Sequence, residues 1–256
     1  MSQLMISREE RVLRITLNNP EKRNALDEKL CRELVAALKE AGRDRTIGCV
    51  LLDASGQVFC SGMDLDDALQ PDAPERTEIH EQLFTFGVHY HKPIVAAVQG
   101  AVLGGGIGLL ANCHVVLAAQ GTNFGLTEIR VGLWPFVIHR AVSLAIGERR
   151  TVELSLTGRI FGTNEAQQYG LVHEVVPPFE LDDRATNTAR LLAYASQETL
   201  RRGLDFVQKS REMSWETAGR LAAEFRAKTF RSADFIEGVR AFREKRKPVW
   251  PSLNAK

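Results

Sequence analysis

Apolar positions alternate with polar ones at the start of the chain and give way to helical spacings and buried runs further on. Leu4 to Ser7 and Val12 to Asn18 flank the polar stretch Arg8 to Arg11, and the alternation of RVLRITLN predicts a β-hairpin. NNPEKRN follows as a turn. Asp27 reads as the N-cap of a helix over Glu28 to Ala41, where Leu30, Leu34, Ala37 and Leu38 recur at helical spacing, with Gly42 as the stop. Cys49 to Asp53 is a short apolar strand. Leu69 to Thr77 carries two prolines and several charges and reads as a surface loop, followed by a helix to about His91 and a buried strand from Ile94.

The stretch Ile94 to Leu110, IVAAVQGAVLGGGIGLL, joins an apolar run to a helical pattern through Gly104, Gly105 and Gly106. Glycine lets the chain turn tightly and lets a ligand approach the backbone, and the first amides of the following helix have no internal partner. Such a junction suits a polarised or anionic oxygen. Beyond it come a strand at Val115 to Ala119 and helices around Phe136 to Ile146 and Glu148 to Leu156, an order that means α/β. After Leu171 to Val176 the pattern is helical and amphipathic.

Size and charge narrow the function. The chain has 256 residues, 44% hydrophobic and 25% charged, enough for one large domain. Lys and Arg total 33 against 32 Asp and Glu, which supplies no global attraction to nucleic acid or membrane. The expected partner is a small molecule or another protein. Cys31, Cys49, Cys60 and Cys113 have no CxxC spacing, so neither a zinc cluster nor a disulfide framework is indicated. Acidic residues interrupt the amino terminus before any long apolar core, and no run reaches the roughly 18 residues of a membrane helix, so a cytoplasmic protein is expected.

Several features compete as chemistry. Gly106 to Ala111 fits the GxGxxA form of the dinucleotide fingerprint, but the next strand ends at Gln120 where an acidic ribose anchor is needed. His89 and His91 would point to different faces of a helix and have no third ligand nearby, so no metal site is expected. Ser61 lacks the glycine pattern of a nucleophile elbow. Arg240, Arg243, Lys245, Arg246 and Lys247 read as a solvated helix face. Glu128, between Gly125 and Gly132, belongs to a strand-to-loop transition, where its ordinary reading is a surface glutamate capped by Arg130.

Taken in order, NPEKRNAL at Asn19 to Leu26, FCSGMDL at Phe59 to Leu65, KPIVAAVQGAVLGGGIGL at Lys92 to Leu109, FGLTEIRVGLWP at Phe124 to Pro135, TGR at Thr157 to Arg159 and GLVHEVVP from Gly170 resemble the enoyl-CoA hydratase/isomerase (crotonase) family over essentially the whole chain. The resemblance implies an α/β spiral of repeated ββα units, here residues 1–195, followed by a C-terminal helical trimerisation region, 196–256, within the same structural unit. It implies trimers or dimers of trimers and an acyl-CoA substrate. Coenzyme A is then part of the substrate, and no separate cofactor is expected.

The resemblance also distributes roles. The thioester oxygen would be held by the backbone N–H groups of Met63 and Gly105, and Glu128 matches one of the family's two catalytic glutamates. The other falls on Gly108, where this sequence has no carboxylate and a wider pocket is expected. The CoA arm is placed along Lys22, Arg23, Ala25, Cys60, Ser61, Gly62, Asp64 and Leu65, with Gly104 and Gly108 beside the acyl group, and Phe242 and Lys245 reaching in from a neighbouring subunit. Trp134, Pro135, Leu83 and Phe84 are candidates for the acyl wall. The motif wording is similar to bacterial methylglutaconyl-CoA hydratase-like members, which favours a hydratase of short or branched 2-enoyl-CoA thioesters. A 3,2-enoyl-CoA isomerase using Glu128 alone, and an acyl-CoA-binding protein that has lost its chemistry, are the alternatives.

Overall fold

The structure is a computed structural model that describes residues 2–71 and 77–254. Two strands, β1 (Leu4–Glu9) and β2 (Val12–Leu17), form the antiparallel hairpin, with Leu4 opposite Leu17. Then come α1 (Glu28–Arg43), β3 (Cys49–Ala54), α2 (Leu65–Ala68) and α3 (Thr77–His89). The middle of the chain supplies β4 (Ile94–Val98), β5 (Ala101–Leu103), α4 (Gly105–Ala111), β6 (Val115–Ala119), β7 (Asn123–Gly125), α5 (Phe136–Ile146) and α6 (Glu148–Thr157). It continues through β8 (Ile160–Gly162), α7 (Thr163–Tyr169), β9 (Glu174–Val176) and α8 (Leu181–Ala193). Four helices end it: α9 (Gln197–Ser210), α10 (Trp215–Phe230), α11 (Ala233–Arg243) and α12 (Pro251–Asn254).

The large sheet has the order β1-β2-β3-β4-β6-β9, parallel from β2 onward. Parallel strands need both faces covered. Accordingly every residue of β4 is buried; Val50, Leu52, Ala96 and Val98 face one core with α1, α4 and α5, while Leu51, Val95 and Leu117 face another closed by Ala185, Ala189 and Ala193 of α8. A small second sheet, β5-β7-β8, stands beside the first. The order large-sheet strand, small-sheet strand, helix occurs as β4-β5-α4 and again as β6-β7-α5, and β3 followed by the Cys60–Val102 bridge and α2 is a shorter form.

Two expectations are corrected by packing. The apolar run from Ile94 is not one strand, because it breaks at Gly100, whose φ of +67° turns the chain from the large sheet into the small one. A Cβ there would lie 1.8 Å from the Gln57 carbonyl oxygen, so only glycine fits. Gly42 does not stop α1, which runs on through Arg43; the Tyr90 ring packs 3.2 Å from where a Gly42 Cβ would stand. The glycine is there for the close approach of Tyr90. Lys92 then donates to the carbonyls of Ala41 and Asp44 at the helix end.

The helix predicted to reach about His91 ends at His89. Of the loop read over Leu69 to Thr77, residues 72–76 lie outside the described residues, and Thr77 opens α3. Among the described residues there is no cluster of three metal-binding side chains, the four cysteines are free, and no helix is long and apolar enough to cross a membrane. Ser196 caps α9, its hydroxyl accepting from Thr199 N–H and bonding to the buried Asp234, which also receives Ser252. That knot fastens α9, α11 and α12 together.

Candidate active site

The site is built where the segment after β3 runs beside β5 and the start of α4. Cys60 bridges Val102 in parallel register: its N–H donates to the Ala101 carbonyl at 3.2 Å and its carbonyl accepts from Leu103 N–H at 2.9 Å. Beyond the bridge Gly62 lies against Leu103 and Gly104, and Leu26, which bridges Met63, also packs on Gly105, so Met63 and Gly105 share one corner. Gly62 keeps the two chains close, since a Cβ on it would lie 3.1 Å from the Leu103 oxygen. Met63 itself bridges Leu26, with Leu26 N–H donating to the Gly62 carbonyl and Asp64 N–H to the Leu26 carbonyl. Among the described residues, no acceptor takes up the N–H of Met63 or of Gly105. Two neighbouring backbone donors are therefore left for something outside the fold.

Gly104 sets the direction of the second donor. It precedes α4 with φ +48° and ψ −116°, a backbone that side-chain-bearing residues rarely adopt, and its own N–H is fixed on the Gly125 carbonyl at 2.9 Å. A Cβ on Gly104 would also lie 3.1 Å from Glu128 Oε1. The carboxylate thus stands directly over the glycine corner.

Glu128 opens a short 3₁₀ turn, Glu128–Val131, just after β7. Its Oε2 is buried without a hydrogen-bond partner, and desolvation pushes the carboxyl above its ordinary range. The expected cap by Arg130 is absent. Arg130 donates instead to the Gly158 carbonyl at 2.6 Å, tying the turn to the corner between α6 and β8, while the Glu128 carbonyl accepts from Leu133 N–H at 3.1 Å. A half-buried carboxylate with one desolvated, unpartnered oxygen over the glycine corner is costly to fold and suited to moving a proton.

The sequence profile of the family described as "Enoyl-CoA hydratase/isomerase" matches residues 7–253. The chain belongs to the enoyl-CoA hydratase/isomerase family. It is 33% identical to the 2,3-dehydroadipyl-CoA hydratase of Escherichia coli over 97% of this chain and 98% of that one. It is 31% identical to the mevalonyl-coenzyme A hydratase of Aspergillus fumigatus over 93% and 91% of the two chains. Among solved structures, an enoyl-CoA hydratase of Mycobacterium smegmatis superposes with a TM-score of 0.92 at 29% identity, covering 97% of this chain and 98% of that one. The crotonase fold and its enzyme class, in which these relatives are hydratases acting on acyl-CoA substrates, follow.

For this member of the family, the structure corrects the reading of Gly108. The space left by the missing carboxylate is not a wider pocket, because a Cβ on Gly108 would meet Ile138 Cγ2 at 2.3 Å and Phe84 Cδ1 at 2.9 Å. Ile138 of α5 and Phe84 of α3 fill it. A branched acyl chain therefore has no vacated space to use at this point. Gly108→Ala should destabilise the fold by about 1–3 kcal/mol through overpacking. In a double-mutant cycle with Ile138→Ala that cost should shrink but not vanish, because the 2.3 Å clash with Cγ2 goes while Ile138 Cβ and Phe84 Cδ1, each 2.9 Å away, remain; read as urea unfolding midpoints, additive losses would show that the Cγ2 contact does not exist.

The remaining candidates separate into several groups. Cys60 is fully buried, with both backbone groups paired and its thiol pushed up to about 12 by burial, so it supports the site without facing it. Asp64 caps α2 by accepting from the N–H groups of Asp66 and Asp67 and holds Lys22 Nζ at 2.7 Å, so Lys22 is tied to the segment it was expected to flank. Arg23 has φ +54° and offers its carbonyl to Ser61 N–H at 3.0 Å, which joins the Asn19–Leu26 turn to the Met63 segment, and Ala25 is buried within that turn. Leu65 is half-exposed beyond Met63. Trp134 packs its ring against His139, 6.0 Å between centroids, and Pro135 is buried at the start of α5. Leu83 is fully buried in the core. Phe242, on α11, and Lys245, just after it, belong to the C-terminal helices, where Phe242 is exposed.

Sequence reasoning passed over Asn24. It is fully buried at φ +51°, donating through Nδ2 to the carbonyls of Ser55 and Val58 and accepting from Asn19 N–H. This residue pins the turn that carries Lys22, Arg23 and Ala25. An asparagine closing a Pro-containing turn before an apolar residue was the available signal.

Proposed function

We propose that this protein hydrates short 2-enoyl-CoA thioesters, with Met63 and Gly105 as donors to the thioester oxygen and Glu128 as the acid/base. The observation that carries this reading is the corner where the Cys60–Val102 bridge and Leu26 bring the Met63 and Gly105 segments together, each with an unpartnered amide, next to the desolvated carboxylate of Glu128 over Gly104. Attack of water on C3 moves the double-bond electrons toward the thioester carbonyl. The developing oxyanion accepts from the two amides, which are already held in place by the ladder behind them.

Glu128 takes the proton that the attacking water loses and returns it to C2 as the enolate collapses. One carboxylate performs both transfers in succession, so the added hydrogen and hydroxyl arrive from the same face. The CoA arm runs along the Lys22–Ala25 turn and Ser61–Leu65, whose exposed rim leaves room for a long polar chain. A trimer, or a dimer of trimers, built through the C-terminal helices and a cytoplasmic location complete this reading.

A 3,2-enoyl-CoA isomerase is the second reading, favoured by one observation: Ile138 and Phe84 occupy the place of any second acid, and moving a double bond needs a single base. Mass spectrometry separates the two. A 2-enoyl-CoA incubated in heavy-oxygen water should give labelled 3-hydroxyacyl-CoA. Conversion of a 3-enoyl-CoA to the conjugated isomer without label, and no hydration, would replace hydratase with isomerase; acyl-CoA binding without either turnover would leave only a binding protein.

A further inference from the structure

Helices α3 and α4 are held together by one buried amide. Asn112, just past the end of α4 and 6% exposed, donates through Nδ2 to the carbonyls of Phe84 and Gly108, both at 2.9 Å, and accepts at Oδ1 from the N–H of Gly87 at 3.1 Å. The contact is tight, since a Cβ on Gly87 would lie 2.7 Å from the Asn112 carbonyl and side-chain oxygens. A buried amide with its donors and acceptor engaged on two helices fixes their separation and register. What it fixes in place is Phe84.

The Phe84 ring lies along the glycine face of α4. A Cβ on Gly105 would stand 3.1 Å from its Cζ, and one on Gly108 2.9 Å from its Cδ1, so the ring spans from the oxyanion donor to the next turn of the helix. Ile138 meets it from α5, and the two side chains are 5% and 2% exposed. An acyl chain whose carbonyl oxygen rests at Gly105 and that extends along α4 toward Gly108 passes this aromatic edge.

We propose that Phe84 is the specificity-determining residue for the acyl group and that Asn112 is the positioning residue that holds it there. This inference rests on the placement of the thioester at Met63 and Gly105. It assigns the substrate class as thioesters with a short, unbranched acyl chain, and it makes the ring at Phe84 the group that turns away a bulky substituent on C3.

The test compares but-2-enoyl-CoA with 3-phenylprop-2-enoyl-CoA for the wild type, Phe84→Ala, Phe84→Leu and Asn112→Ala. For each variant kcat/KM is measured on both substrates, together with the dissociation constants of the saturated counterparts butanoyl-CoA and 3-phenylpropanoyl-CoA. Phe84→Ala should raise the phenyl-to-butenoyl preference by roughly 10- to 200-fold, with Phe84→Leu between it and the wild type. Asn112→Ala should shift the preference in the same direction, mainly through KM. Parallel losses on both substrates, with the preference unchanged in folded Phe84→Leu and Asn112→Ala, would reduce both residues to packing and overturn the proposal. Because the saturated thioesters are not turned over, a chain that binds them but hydrates nothing would fail the hydratase reading while its binding preference still decides this one.

Discussion

Replacing Glu128 with glutamine is expected to lower kcat for 2-enoyl-CoA hydration by about 10²- to 10⁴-fold, the usual worth of a positioned acid/base, while saturated acyl-CoA binding changes little. The reason is local. Glutamine keeps the shape that fits over Gly104 but cannot accept and return a proton. Unchanged turnover in the purified variant would remove Glu128 from the mechanism. The wild-type rate should also rise with pH through a titration above the ordinary glutamate range, because burial raises this carboxyl and only its ionised form takes a proton from water.

The same substitution should stabilise the fold, and the sign follows from linkage. A carboxyl whose folded pKa lies above its unfolded value binds more protons when folded, so stability falls as pH rises through that window. Above it the full cost of ionising Glu128 with Oε2 desolvated and unpartnered is present; below it the cost is gone. Thermal midpoints of Glu128→Gln should therefore exceed the wild type at neutral pH and converge with it in acid. Equal midpoints at every pH would mean that the carboxylate is solvated after all. Loss of activity joined to a gain in stability is the signature of a group kept for chemistry at the expense of folding.

Local patterns showed in the sequence wherever near neighbours decide the structure. Alternation in RVLRITLN was enough for the hairpin, and Asp27 caps α1 as read, its Oδ1 accepting from Leu30 N–H at 2.8 Å. The glycine junction was visible because three glycines between an apolar run and a helical one have few other uses. Glycines answering to distant residues were misread, as Gly42 and Gly108 were, or not singled out, as Gly100 was. Gly42 lies close against Tyr90, and Gly100 is required by the Gln57 carbonyl and Gly108 by Ile138, none of which is a sequence neighbour. The small sheet escaped notice because β5, β7 and β8 have three residues each, too short for a period to show. At the site, residue types pointed to Glu128 and the glycines, whereas the clamp of Asn112 and the tie from Arg130 to Gly158 exist only once the helices are packed.

Gly105→Pro is expected to cost about 10²- to 10³-fold in kcat, because it deletes one of the two oxyanion donors while leaving the carboxylate in place. Proline is ordinarily a crude probe, but the local backbone favours it here. Gly105 is the first residue of α4, the position where helices best accept proline, since no intrahelical bond uses that N–H. The residue before it is Gly104 at φ +48° and ψ −116°, the mirror image of the extended conformation that chains adopt before proline, and open to glycine alone. The added Cβ would stand 2.9 Å from Leu26 Cδ1 and 3.1 Å from Phe84 Cζ, the ends of side chains rather than backbone. Circular dichroism and the thermal midpoint should show a folded enzyme. Acyl-CoA binding should weaken far less than turnover, since the missing hydrogen bond matters most when the oxygen carries charge. A folded Gly105→Pro enzyme with wild-type kcat would mean that the free amide of Gly105 does not face the thioester, and the shared corner of Met63 and Gly105 would then need another ligand.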